Sequence, residues 1–492
     1  MTPDEPTAAE VRPAPAQAPP LSVFAVFQAR ATVDDLVSTN PLLDGQVVGR
    51  LGGTNGIVVS PDRPGAYTEQ RFAPFLTWTP PVADGRASLT AAFEIDFAYG
   101  DRAYGIGGNT GGGFGADQVN LQTRRLHATF SPLRGDHELR VVVGLQFVND
   151  SAVDPAASTA ETLLHSGGRL AWFGSEAAGI TAYGVARDDW GLRLRYKVGT
   201  YTLLEQGSSL PDDVWLSMAD VEVHPVPRAA VGGHLWYAQD RSGASGTLPV
   251  GPTGATWTLQ GGPSLDPYDG FERPPDAAID SDVVWVGADA GYNAALDRGP
   301  LGVHGFALGN FGKIYAPVVH DDAIAGFAAD AEVRFRYARG DGSLVRAEAV
   351  FSSADDADPQ RYTGVVTGNA YGIAAAPMPT LGTVLLFPDA RAINRMVAVV
   401  SDLSGAGRGV VGVASSAGFD VVPNRIGVTG TLATAATADG EPWGTELGGR
   451  ATARPFLGCE TSVRAAMVWP GSAAALGGRP WTVSAALDWL LF

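Results

Sequence analysis

Cysteine occurs once, as Cys459, so the chain can build neither an internal disulfide framework nor a Cys-based zinc cluster. Lysine occurs twice, as Lys197 and Lys313, and arginine supplies almost all the positive charge. Charged residues make up only 17%, and 52 Asp and Glu against 34 Lys and Arg leave a net charge of -18. That balance excludes nucleic acid as a partner, because phosphate binding needs a basic excess. No stretch approaches the roughly 18 consecutive apolar residues of a membrane helix, although 45% of the residues are hydrophobic. Catalytic signatures are missing as well. There is no Gly-x-Ser-x-Gly elbow, and the histidines at 127, 137, 165, 224, 234, 304 and 320 show no metal-ligand spacing. "GNFGKIY" lacks the Ser or Thr that follows a phosphate-loop lysine. "GIGGNTGGGFG" at 105–115 has dinucleotide-like glycine spacing but no helix pattern behind it, and reads as a Gly-rich surface loop. No catalytic residue, metal or cofactor is expected, and the chain is not expected to be an enzyme.

Glycine and the aromatics are abundant: 63 Gly, with 11 Trp, 13 Tyr and 20 Phe. Apolar residues alternate with polar ones from end to end, which is the period of a strand with two different faces. In "HELRVVVGLQFVN", Leu139, Val141, Val143, Leu145 and Phe147 share one face, and Arg140 and Gln146 the other. In "WGLRLRYKVGTY", Leu192, Leu194, Tyr196 and Val198 alternate with Arg193, Arg195 and Lys197. In "AGFAADAEVRFRYAR", Val333, Phe335 and Tyr337 oppose Asp330, Glu332, Arg334 and Arg336. Aromatics such as Trp78, Tyr99, Trp190, Trp215, Tyr292 and Tyr337 gather at the ends of apolar faces, where an interfacial girdle needs them.

The connections fall into two kinds. "PPVADGR", "SPLRGDH", "HPVPR", "LDRGP", "ARGDGS" and "VPNR" are short and carry turn residues. Long polar or Gly-rich links occupy about 31–65, 100–116, 150–177, 242–280 and 354–407. Short turns at one end and long loops at the other are the asymmetry of membrane barrels. The pattern predicts an all-β fold: one transmembrane antiparallel β-barrel of about 18 strands over residues 21–492, with short periplasmic turns and long extracellular loops. Residues 1–20, acidic and Pro/Ala-rich without an apolar signal core, are expected to be a flexible tail of a mature form. "INRMVAVVSDL" either adds a strand or lies within the last long loop. The two "RGD" triplets, at 134–136 and 339–341, fall in short turns and do not suggest adhesion. The acidic runs around His320, Asp321 and Asp322, and around Asp355, Asp356 and Asp358, read as solvated loop charge rather than Ca²⁺ sites.

The chain closes on "WTVSAALDWLLF". Trp481, Val483, Ala485, Leu487 and Trp489 form an apolar stripe before the terminal Phe492, with Asp488 interrupting the series counted back from the end. A bulge near Leu490 and Leu491 would let the stripe change face. With the loop asymmetry, this ending resembles the C-terminal strand of outer-membrane barrels, and the architecture resembles the eighteen-stranded Gram-negative porins, including the alginate-export family and the substrate-specific channels. The resemblance implies a bacterial outer-membrane location, contact with outer-membrane lipid and lipopolysaccharide, and insertion by the barrel assembly machinery. It implies a polar, Arg-lined lumen narrowed by infolded loops.

The charged faces supply the candidate pore-lining residues: Arg125, Arg140, Arg193, Arg195, Lys197, Asp220, Glu222, Asp330, Glu332, Arg334, Arg336, Arg346 and Glu348. Facing lipid, an Arg or Lys near the midplane costs roughly 2–4 kcal/mol, which turns these side chains inward. The charges either select solutes or brace the wall by pairing across strands. Arg193, Arg195 and Lys197 on one face predict a short positive ladder. The expected function is a passive channel for small polar or anionic solutes. A dedicated channel exporting an acidic polysaccharide would need a continuous basic track, and a surface-binding or adhesive barrel would have a plugged lumen. The 354–407 link is the leading candidate to narrow the pore.

Overall fold

The structure, a computed structural model, describes residues 20–35, 65–99, 120–134, 137–149, 174–187, 193–204, 213–226, 228–241, 280–294, 296, 299–316, 320–356, 361–366, 382–387, 389, 393, 398–400, 403, 405, 407–474 and 478–491. Residues 1–19, the 105–115 glycine stretch, Trp190, Asp358 and most of the 31–65, 150–177 and 242–280 links lie outside them.

The alternating segments become long antiparallel strands: β1 (Leu21–Asp34), β2 (Gly65–Trp78), β3 (Ala87–Tyr99), β4 (Asn120–Leu133), β5 (His137–Asn149) and β6 (Gly174–Arg187). They continue as β7 (Arg193–Leu204), β8 (Val214–Val226), β9 (Ala229–Asp240), β10 (Asp280–Tyr292), β11 (Leu301–Ala316), β12 (His320–Arg336) and β13 (Leu344–Ser352). The last are β14 (Arg361–Tyr362), β15 (Val411–Val422), β16 (Ile426–Ala436), β17 (Pro442–Phe456), β18 (Cys459–Pro470) and β19 (Trp481–Leu491). Eighteen of these form the wall, each paired with its neighbour in the chain, and β1 closes the circle by pairing with both β2 and β19. The exception is β14, a two-residue strand that runs parallel to β12 at Ala323 and Ile324, with β13 pairing past it to β15. Closure removes the open edges that a sheet in hydrocarbon could not satisfy.

The two faces are those that the alternation set. Val143, Val198, Val333 and Val463 are 41%, 57%, 46% and 55% exposed, and similar apolar side chains ring every wall strand. Their register neighbours point the same way, so the belt is continuous and fits a lipid surroundings. On the opposite face lie Gln28, Glu69, Arg71, Glu94, Lys197, Asp220, Glu446 and Asp488, all buried. The strand ends that flank 79–86, 134–136, 188–192, 227–228, 293–300, 337–343, 423–425 and 457–458 lie at the end where β1 begins and β19 finishes. Those that flank 35–64, 100–119, 150–173, 205–213, 241–279, 317–319, 353–410, 437–441 and 471–480 lie at the opposite end.

Two local expectations change, and one open alternative is resolved. The C-terminal strand needs no bulge: β19 keeps one register with β1 from Asp34–Thr482 to Ala25–Leu491. Asp488 interrupts the apolar series because it faces inward, where Gln28 Nε2 donates to its Oδ1 at 3.0 Å. Leu490 is also inward, packed with Val26 and Ala73 at the closing seam. His320, Asp321 and Asp322 belong to β12 and not to a loop. "INRMVAVVSDL" adds no wall strand: Ile393, Ala398 and Val400 are buried within the connection between β13 and β15.

Candidate functional site

The inner wall from β7 to β13 carries most of the charged residues picked from the sequence. Lys197 and Asp220 sit opposite each other on β7 and β8, and Nζ lies 2.9 Å from Oδ2. Next along the same strands, Arg195 donates to Glu222 Oε1 at 2.8 Å. The His224 ring meets the same Glu222 oxygen at 2.5 Å. Asp220 also accepts from Trp236 Nε1 at 2.9 Å and from His234 Nδ1 at 2.8 Å. His234 Nε2 then donates to Asp289 Oδ1 at 2.7 Å, and His304 Nε2 stands 3.6 Å from Asp289 Oδ2. His234 thus bridges Asp220 and Asp289 across β8, β9 and β10. Gly232 makes room for this chain, because a Cβ there would stand 1.8 Å from Asp289 Oδ1.

The chain of charge continues onto β12 and β13. Glu332 is in register with His304 on one side and Glu348 on the other, and Arg334 with Arg346. Like charges thus stand opposite each other, an unfavourable arrangement relieved along the strand: Arg334 grips Glu332 through Nε and Nη2, each at 2.6 Å. Arg334 and Arg336 also tie the wall to the 293–300 turn, donating to the Ala294 and Leu296 carbonyls at 3.1 Å each. Asp330 lies one step further up the inner face, opposite Val350.

Arg125, Arg140 and Arg193 complete the set. A bulge opposite Ala92 and Phe93 places Arg124 and Arg125 together on β4. Arg124 pairs with buried Glu94, while the Arg125 guanidinium lies 5.3 Å and 5.2 Å from the Phe75 and Phe147 ring centroids. Arg140 contacts Glu138 at 2.5 Å and lies 6.0 Å from the Tyr183 ring. Arg193 stands in register between Arg187 and His224. Of the expected ladder Arg193, Arg195 and Lys197, the last two are engaged by carboxylates on β8, the cross-strand pairing that the sequence left open, and Lys197 is 3% exposed.

The sequence did not point to the residues that hold the 353–410 connection inside the barrel. Val365, Leu385, Leu386, Phe387, Val400 and Leu403 are buried against inner-face Ala414, Ala433, Ala435, Trp443 and Val468. Trp285 Nε1 donates to the Val366 carbonyl at 2.9 Å, and Asn310 Oδ1 accepts from Val366 N at 3.2 Å. On the other side, Arg30 and Arg464 reach Asp389, and Arg71 donates to the Ile393 carbonyl at 2.5 Å. The described part of the connection therefore touches β10 to β13, β15 to β18, β1 and β2. Near its start Asp355 accepts from Thr363 N at 3.0 Å; burial nonetheless holds its carboxyl above the usual range. Among the described residues no group of His, Cys, Asp and Glu could hold a metal.

No family model matches the chain, and no curated protein matches it. Solved structures do. Acinetobacter baumannii OccAB1 shares 9% identity over 96% of this chain and 96% of its own, with a TM-score of 0.50. A BenF-like porin from Pseudomonas fluorescens Pf-5 gives 10%, 96%, 98% and 0.48 on the same measures. Pseudomonas aeruginosa OccK5 (OpdH) gives 10%, 95%, 98% and 0.46. At these identities the likeness is one of fold. The fold is that of an eighteen-stranded outer-membrane porin. A closed barrel with a continuous apolar belt belongs in the bacterial outer membrane.

Proposed function

We propose that this protein is a passive outer-membrane channel for small polar or anionic solutes, with no chemical step of its own. The observation that carries this reading is the inner wall: a closed eighteen-strand barrel, wide enough for a water-filled lumen, lined by charge from β4 to β13. Paired charges on a narrow wall order water and discriminate among solutes by charge. Arg125, Arg140 and Arg193 support an anion preference, which the acids Asp289, Asp330, Glu332 and Glu348 oppose on β10, β12 and β13. Polysaccharide export would call for a continuous basic track. Among the described residues the cations are interleaved with carboxylates, which argues against it. An adhesive barrel with a plugged lumen draws on the inward 353–410 connection and predicts no conductance. Planar-bilayer recording of the purified protein separates the readings: discrete conductance with a defined anion-to-cation ratio supports the channel, and electrically silent insertion overturns it.

A further inference from the structure

Glu446 is fully buried on the inner face of β17. Its register neighbours are Ala433 and Val468, so no basic side chain stands beside it in the sheet. Instead its carboxylate accepts three consecutive backbone N–H groups of the inward connection. Oε1 accepts from Val384 at 2.8 Å, and Oε2 from Leu385 at 2.8 Å and Leu386 at 2.6 Å. A buried carboxylate without such donors is strongly unfavourable, so wall and connection depend on each other here.

Three residues further along, the polarity reverses. Asp389 of the connection is gripped by Arg464 of β18, through Nη1 to Oδ1 at 2.8 Å and Nη2 to Oδ2 at 2.7 Å, and by Arg30 of β1 at 3.0 Å. At and just beyond the first grip, Leu385, Leu386 and Phe387 rest in a seat of small inner-face residues: Gly412, Ala414, Ala433 and Ala435. A Cβ on Gly412 would stand 2.8 Å from Phe387 Cζ and 3.2 Å from Val350 Cγ1.

We infer that Glu446 and Arg464 are positioning residues of the solute pathway: two buried charge latches of opposite sign that fix residues 384–387 and 389 against β15–β18 and so set the cross-section left to solute. The inference rests on the channel reading only in its last clause; the latch is a property of the fold. It distributes the work chemically. The wall supplies an acceptor for backbone donors at one point and donors for a side-chain acceptor at the next, so the connection is held in position and in chain direction.

The test uses the full-length barrel in lipid, with Glu446→Ala, the near-isosteric Glu446→Gln and Arg464→Gln, read by hydrogen exchange and by single-channel recording. Loss of a charged acceptor should speed exchange of the 384–386 amides roughly 10- to 100-fold in Glu446→Ala. Glu446→Gln, which keeps one acceptor oxygen, should fall between it and the native protein. Amides of β15–β18 should be unchanged, and the conductance should rise and split into several levels. Arg464→Gln should loosen the connection at Asp389 and raise conductance likewise. Unchanged exchange at 384–386 overturns the latch. A uniform rise across the wall overturns it too, by making Glu446 a residue of barrel stability. Local loosening with the native conductance retained overturns the pathway clause. If the native protein is silent while the 384–386 amides are released in the variant, the latch stands and the channel reading falls. Should Glu446→Ala fail to insert, Glu446→Gln alone decides.

Discussion

The two arcs of the inner wall solve the same problem in different ways. From β7 to β13 the inner face is polar, and several of its charges pair with one another: Lys197 with Asp220, His234 with Asp220 and Asp289, Arg334 with Glu332. From β15 to β18 the inner face is mostly small, with Gly412, Ala414, Ala433, Ala435 and Ala466, and it is covered by the chain's own inward connection. The first arc is a lattice of side chains braced across strands. The second is a seat for backbone, in which a lone wall carboxylate needs the connection for its partners. Charge density alone therefore does not mark the part of the wall that shapes a lumen. Small residues do so as well, because only a small residue lets a second layer of chain approach.

The largest effect should come from breaking the lattice. Lys197→Met strips a buried ion pair of its cation and should cost on the order of 3–5 kcal/mol, at the low end because His234 and Trp236 still reach Asp220. Urea unfolding in lipid vesicles measures it. Lys197→Met combined with Asp220→Leu should be milder than the sum, and strict additivity would mean that the pair is not coupled.

Overfilling the seat comes next. Gly412→Leu drives a side chain into Phe387 and Val350, and overpacking costs about 1–3 kcal/mol. Bilayer recording should show an altered conductance with the selectivity ratio nearly kept; a native conductance would mean that Phe387 does not rest where the seat places it. Replacing Arg193, Arg195 and Lys197 together by Gln should lower the anion-to-cation ratio at low salt. The fall should be smaller than three free cations would give, because two already face carboxylates. A full collapse of selectivity would show that pairing does not mute these charges. The smallest effect lies beside the second arc: Arg408→Gln, at an exposed ion pair with Glu441, should change stability by about 1 kcal/mol or less.

Much of this was legible in the chain. The alternation marked strands such as β5, β7 and β12 and predicted about eighteen of them, because a strand between lipid and a polar interior writes its two environments directly into a period of two. The same period turned Arg140, Lys197, Asp220 and Glu332 inward. It could not say which of them are paired, since pairing depends on register between neighbouring strands, and register is set by the whole closed sheet. Gly144 illustrates the gap. In the sequence it is a blank on the polar face of β5, but it adopts φ +122°, and a Cβ there would lie 2.4 Å from the Leu126 carbonyl oxygen.

By itself, then, the sequence determined the class of fold and the face that most strand residues take, because both follow from local periodicity. Only the tertiary structure decided how the inner charges divide among partners and where the 353–410 connection comes to rest. Glu446 meets amides about 60 residues away in the chain, and Arg30 meets Asp389 across 359 positions. No local pattern encodes such contacts: they exist only once the sheet has closed and brought those positions into one lumen.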